Sequence, residues 1–261
     1  LKDKTKSVLC GNIGYSFCRA LVEHPDKEIF IVEASSFQLE NSNICPDIAV
    51  LLNINPCHLD HHLTFKNYVE SKEKITINQD KECYFIYNLS DVYIKSIASK
   101  TKAKLISFSN DTVLGKCCIF NGWIYYENIK IYKINKQLIN KEYLLLDYMA
   151  AICVVMVLKK IRISKMRKYV KTFSEIELLN KHGNKLREPY VKLVKGDKYS
   201  GIFELRTKFA SDITRIFYFT WSNNTFVLLN GFAKKTEKTP KRELDRALVY
   251  KKDYERRCKD E

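Results

Sequence analysis

Five short apolar runs, Ser7–Cys10, Ile29–Val32, Ile48–Leu52, Cys83–Tyr87 and Lys104–Phe108, alternate with the helix-like stretches Ser16–Glu23, Lys66–Ile77 and Asp91–Lys100. That alternation constrains the fold more than any other feature. Strands separated by helices need crossover connections, and crossovers set neighbouring strands parallel. The expectation is an α/β, doubly wound, mostly parallel sheet, whose ligands gather beyond the carboxyl ends of the strands. Polar clusters stand in those places: Gly11-Asn12-Ile13-Gly14, Glu33-Ala34-Ser35-Ser36 and Asn53-Ile54-Asn55-Pro56.

Composition sets the outer limits. With 46% hydrophobic residues in 261, the chain reads as globular rather than disordered. Its start is lysine-rich and has no secretory pattern. The most apolar run, Leu144–Leu158, holds Asp147 and is too short to span a bilayer, so a buried helix is expected there. A cytoplasmic protein with no membrane partner follows as the expectation. Nine cysteines without a C-x-x-C pair, odd in number, point to reduced and mostly buried thiols.

Charge divides the chain. Residues 162–261 hold 25 Lys+Arg against 13 Asp+Glu, a balance of +12, and the preceding residues carry only +3 of the net +15. The expected organisation is therefore two domains, 1–160 and 161–261. A basic hundred-residue domain suits a polyanionic partner, and a lysine-solubilised surface is the plainer alternative.

Four stretches of the first domain, in order, resemble the central domain of the Mur ligases of peptidoglycan synthesis, most closely the D-glutamate-adding branch. They are Gly11-Asn12-Ile13-Gly14, Val32–Glu40, Asn53–Asp60 and Phe65–Lys72. The resemblance implies ATP-driven amide formation through an acyl phosphate, with magnesium and ATP as cofactors. It implies Glu33 and His58 as metal ligands, with Lys72 carbamylated into a third. It places Asn12 and Ser36 near a UDP-muramoyl substrate. Read without the family, His58 is also a plausible polar residue closing a strand end. The chain departs from the family in three ways. It contains no G-x-x-x-x-G-K-[ST] phosphate loop, Cys57 stands where an Asp usually precedes the histidine, and the glutamate-binding third domain is absent. ATP binding is therefore not expected, and ligation by this chain alone is not expected either.

In the second domain, Ile163, Met166, Tyr169, Val170, Phe173 and Ile176 recur at helical spacing, and Gly183 suits a helix C-terminus. Ile202–Lys208, Ile213–Trp221 and Thr225–Lys234 read as strands, the last two joined through Ser222-Asn223-Asn224. Both faces of the middle strand are apolar, so it is expected to be central. Thr239 is the expected N-cap of a final helix, with Pro240 at N1. The result is a small α+β domain with an antiparallel sheet.

Its text, above all Leu228–Pro240, resembles the HigB-like, phage-derived branch of the RelE/ParE toxin superfamily. That resemblance implies a ribosome-dependent mRNA endoribonuclease of a type II toxin–antitoxin system, needing no cofactor and partnered by mRNA, the ribosome and a cognate antitoxin. Arg206 and Arg215 suit phosphate contact, or else pair with Glu204 and Asp212. Lys234, Lys235 and Lys238 suit phosphate binding or proton transfer, or else form a solvated loop. Tyr218 suits base stacking or proton donation, with a core position equally open. This RNA-cleaving activity, with the first domain an inactive remnant, is the leading expectation. A fragment of the D-glutamate-adding ligase is the alternative, and a chimeric product with neither activity is a third reading.

Overall fold

The computed structural model describes residues 7–12, 15–134, 142–158, 163–209, 212–221, 225–234 and 239–258. Two compact units emerge. The first holds the described residues of 1–129 and 141–157, and the second those of 130–140 and from 158 onward.

The first unit begins with β1 (Ser7–Gly11), α1 (Phe17–Glu23), β2 (Ile29–Glu33) and α2 (Ser36–Glu40). Strands β1 and β2 pair in parallel, Ser7 opposite Ile29 and Gly11 opposite Glu33. Then come β3 (Ile48–Leu51), α3 (Leu59–His62), α4 (Phe65–Ile77), β4 (Tyr84–Asn88), α5 (Val92–Ala98) and β5 (Lys104–Ser109). The strands β6 (Cys117–Phe120) and β7 (Trp123–Tyr126) follow, then β8 (Ile129–Lys133), at whose first residue the division between the units falls, and the helix α6 (Glu142–Leu158) covers the expected buried run. Every expected strand and helix of this unit is present, within a residue or two at the ends.

The sheet differs from the expectation. It is mixed and in two pieces: β1-β2 stand as a pair, and β3-β4-β5-β6-β7-β8 form a six-stranded sheet. Pairs β3·β4, β4·β5 and β5·β6 are parallel, whereas β6·β7 is antiparallel. The reversal has a local cause. Asn121 and Gly122 adopt φ of 46° and 73°, the paired left-handed backbone of a two-residue hairpin. On the separate β1-β2 pair, Leu9 and Ile31 remain exposed.

The core of the six-stranded sheet lies where β3 and β4 meet α4 and α5, around Leu51, Tyr68, Phe85, Ile94 and Ile97. Helix α5 is tied to this core by Asp91. Its carboxylate accepts from Tyr93 N (2.9 Å), Ile94 N (3.1 Å) and, across the sheet end, Ile54 N (2.7 Å). Asp91→Ala is expected to cost about 2 kcal/mol, because it loses a helix cap and strands an additional amide. Urea denaturation followed by circular dichroism checks this; an unchanged midpoint would show that water replaces the carboxylate.

The second unit runs α7 (Ile163–His182), β9 (Val191–Leu193), β10 (Phe203–Phe209), β11 (Asp212–Thr220), β12 (Phe226–Lys234) and α8 (Lys241–Arg257). Its antiparallel sheet has the order β12-β11-β10-β9, so β11 is central as its two apolar faces require. One face packs Leu205, Ile216 and Tyr218 with Leu179 of α7; the other packs Ile202 and Phe217 with Ala247 of α8. Gly183, directly after α7, takes φ 52°. Strand β9 escaped sequence reading because three residues are too few to display a period of two. The N-cap of α8 is Pro240, one residue beyond the expected Thr239, whose hydroxyl instead donates to Glu204 Oε2 at 3.3 Å. The Ser222-Asn223-Asn224 connection lies outside the described residues.

None of the described helices is long and apolar enough to cross a membrane. All nine cysteines are unbridged, and five of them are buried.

Candidate functional site

The first two polar clusters of the first unit meet at the ends of β1 and β2. Strand β1 ends in Gly11 at φ 121°, whose amide donates to Tyr15 O at 2.7 Å. The next amide, Asn12 N, donates to Glu33 O at 2.8 Å, closing the loop onto the end of β2. Ile13 and Gly14 lie outside the described residues. After Glu33 the chain turns into α2 through a capping box: Gln38 N donates to Ser35 Oγ, and Ser35 N donates to Gln38 Oε1. That short helix buries Ser36 and projects Phe37 and Glu40.

The loop after β3 ends in His58, held at φ 53°, from which α3 starts. Thr64 then caps α4 by accepting from Asn67 N at 3.1 Å, and the Asn67 amide donates to His62 O at 2.8 Å. The cap fixes where α4 begins, and so where Lys72 falls on it. Lys72 is half-buried, with Nζ 5.8 Å from the Tyr68 ring centroid. Burial pushes its pKa down, against the opposing pull of Cys57 and Glu33. Removing an ammonium from water favours the neutral amine. A neutral amine is the form that can add to carbon dioxide.

The Asn12 and Glu33 main chains are thus bonded, and Cys57 and Glu33 both lie within electrostatic reach of Lys72. Among the described residues, Glu33 and His58 belong to no trio of His, Cys, Asp or Glu. They fit a metal only if Lys72 supplies a carboxylate.

Sequence reading passed over His61, His62 and Glu40. The His62 Nε2 lies 3.0 Å from Ser36 Oγ in a buried contact, and His61 Nε2 lies 2.7 Å from Glu40 Oε2. The Phe37 ring packs against His58, His61 and His62 at centroid distances of 5.0, 4.5 and 5.6 Å. The run His58-Leu59-Asp60-His61-His62 carried the signal. His61 and His62 are adjacent and follow His58 by three and four residues.

In the second unit, Arg206 and Arg215 are direct partners across β10 and β11. Glu204 Oε1 lies 2.6 Å from Arg215 Nε and 3.4 Å from Arg206 Nε. Neither Nε–H is aligned for a hydrogen bond, so these are close charge contacts rather than forked pairs. Arg215 is only 6% exposed, and burial depresses its pKa. Tyr218 sits in the core, stacked on Phe203, and burial raises its pKa to about 12. No base can reach its ring there. The Lys234 side chain, Lys235 and Lys238 lie outside the described residues. A cavity of about 220 Å³ lined by Lys192, Lys195, Glu204, Arg206 and Thr239 belongs to this unit.

Comparison with known proteins adds two matches. The Mur ligase middle domain matches residues 7–142, and the family described as Phage derived protein Gp49-like (DUF891) matches residues 161–252. The chain is 34% identical to the UDP-N-acetylmuramoylalanine–D-glutamate ligase of Caldanaerobacter subterraneus subsp. tengcongensis, over 66% of this chain and 38% of the relative. It is 30% identical to the same ligase of Fusobacterium nucleatum subsp. nucleatum, over 92% of this chain and 52% of the relative. The MurF ligase of Thermotoga maritima, solved with ADP, overlaps 64% of this chain and 43% of its own at 19% identity and a TM-score of 0.49. The chain spans about half, or less, of the curated relatives named here.

These matches correct the leading functional expectation. The similar curated proteins are ligases, and the second domain matches the Gp49-like family without a specific RelE or HigB match. A toxin-type endoribonuclease as the activity of this chain is overturned by that repeated ligase similarity. The geometry of the second unit agrees, since Arg215 is turned to a buried carboxylate and Tyr218 to the core.

Proposed function

The chain belongs to the Mur ligase middle-domain family, and from that membership we propose that residues 1–160 form the substrate-side and metal-side part of a UDP-N-acetylmuramoylalanine–D-glutamate ligase. Residues 161–261 are then an appended basic domain. The observation that supports the reading is the half-buried Lys72, within electrostatic reach of Cys57 and Glu33, with the Asn12 amide bonded to the Glu33 carbonyl. Asn12 and the Ser36 region bind the UDP-muramoyl substrate. Lys72, kept largely out of water, is the amine that becomes a carbamate, and Glu33 and His58 complete the donor set. These oxygens and an imidazole suit magnesium, which when bound supplies charge neutralisation beside a phosphate oxygen.

The test is calorimetric titration of the full chain with UDP-N-acetylmuramoyl-L-alanine. Binding is expected, and Asn12→Ala should weaken it roughly tenfold, the equivalent of about 1.4 kcal/mol. Absence of binding by the wild-type chain would sink the reading. ATP alone should bind poorly, because the 261 residues contain no glycine-rich phosphate loop. For Lys72, carbon-13 bicarbonate should give a carbamate resonance that disappears in Lys72→Ala; its persistence would place the modification elsewhere.

A further inference from the structure

We propose that Glu40, His61 and His62 form a second metal site, for a transition-metal dication of the zinc type, distinct from the Glu33, His58 and Lys72 group. One ligand atom from each of the three residues lies within 4.8 Å of the others. His61 Nε2 and Glu40 Oε2, 2.7 Å apart, share a hydrogen bond in the empty site. An ion would take the place of that proton, with the ligand atoms about 3.3 Å apart around it, as bonds of about 2.0–2.1 Å require.

His62 provides the independent sign of a ligand. It is 2% exposed, its Nε2 contacts Ser36 Oγ, and its Nδ1 is buried with no hydrogen-bond partner. A buried polar atom without a partner costs about 1–3 kcal/mol, so the site retains an unmet demand. When Nε2–H donates to the Ser36 hydroxyl, Nδ1 presents a lone pair. That is the arrangement of a ligating histidine whose other nitrogen is held by an outer hydrogen bond.

The surroundings hold the three ligands in place. Glu40 ends α2, where Lys74 donates to its backbone carbonyl and leaves the carboxylate turned to His61. His61 and His62 end α3, with rings 4.8 Å apart and nearly perpendicular, and Phe37 packs against both. Two imidazoles and a carboxylate select zinc, cobalt or nickel over magnesium. Glu40 and His61 are partly open to solvent, with side chains 39% and 44% exposed. The fourth coordination position therefore faces water. A bound ion would staple α2 to α3, the helices that carry Ser36 and follow His58. The site stands independently of the ligase reading.

Cobalt(II) titration of the reduced full chain tests it. In the Lys72→Ala background, where the other metal group lacks its carbamate, the expected result is one equivalent bound with visible d–d bands and no thiolate charge-transfer band. His61→Ala and Glu40→Gln, both at partly exposed positions, should each weaken binding by more than about 100-fold, since even an outer partner costs 10–100-fold. Circular dichroism confirms that both variants are folded. His58→Ala in that background should leave this equivalent bound. The proposal is overturned if no cobalt binds, if a thiolate band appears, if His61→Ala and Glu40→Gln bind normally, or if His58→Ala removes the signal.

Discussion

Gly11→Ala is expected to abolish UDP-muramoyl binding, and to do so by displacing backbone rather than by removing a ligand. At φ 121° a side chain is strained wherever it points, at a cost of about 1–3 kcal/mol. A Cβ there would also lie 2.1 Å from Glu33 O and 2.7 Å from Glu33 N. Those are main-chain atoms of the paired strand and have no rotamer by which to withdraw. The β1-β2 pair must part at this end, and the Asn12 N to Glu33 O bond goes with it. Gly122→Ala is the control, because its φ is also positive but a Cβ there meets only open space. Titration with the UDP-muramoyl ligand should show loss for Gly11→Ala and near-normal affinity for Gly122→Ala. Equal affinities would mean that the β1 loop takes no part in the site.

Glu204→Ala should destabilise the second unit by about 3–5 kcal/mol, the usual consequence of removing one partner from a buried charge pair. Glu204 and Arg215 are 8% and 6% exposed. Arg206 faces Arg215 across the strands, so loss of the carboxylate leaves two cations facing each other with little water between them. Thr239 loses its acceptor as well. Guanidinium is unsuited as the denaturant, since it screens charge; urea unfolding of the full chain, followed by Trp221 fluorescence, is the measurement. A loss below about 1 kcal/mol would show the pair to be solvent-screened, as exposed pairs are. This pairing holds Arg215 to a buried carboxylate, while Arg206 also lines the cavity with Lys192 and Lys195. The sequence shows Glu204, Arg206 and Arg215 within twelve positions, but only the register of β10 on β11 sets the carboxylate between the guanidiniums.

Local order was legible wherever a periodicity or a turn residue encoded it. The β11 run Ile216-Phe217-Tyr218-Phe219 declared two buried faces. The Asn121-Gly122 hairpin was equally legible in principle, and overlooking it made the sheet seem more uniformly parallel than it is. The Asn12, Glu33, His58 and Lys72 assignment comes from the order of its motifs along the chain.

By itself, the sequence determined the α/β and α+β classes, the charge boundary and the family of the first domain. Each depends on residue order within a few turns of chain. Tertiary structure alone decided that Arg215 is neutralised by Glu204, that Tyr218 belongs to the core, and that Glu40 meets His61 across 21 positions of chain. Charge pairs and ligand sets follow from which distant segments pack together, and burial makes them strong by taking water away. Neither the partner nor the burial is written in local spacing.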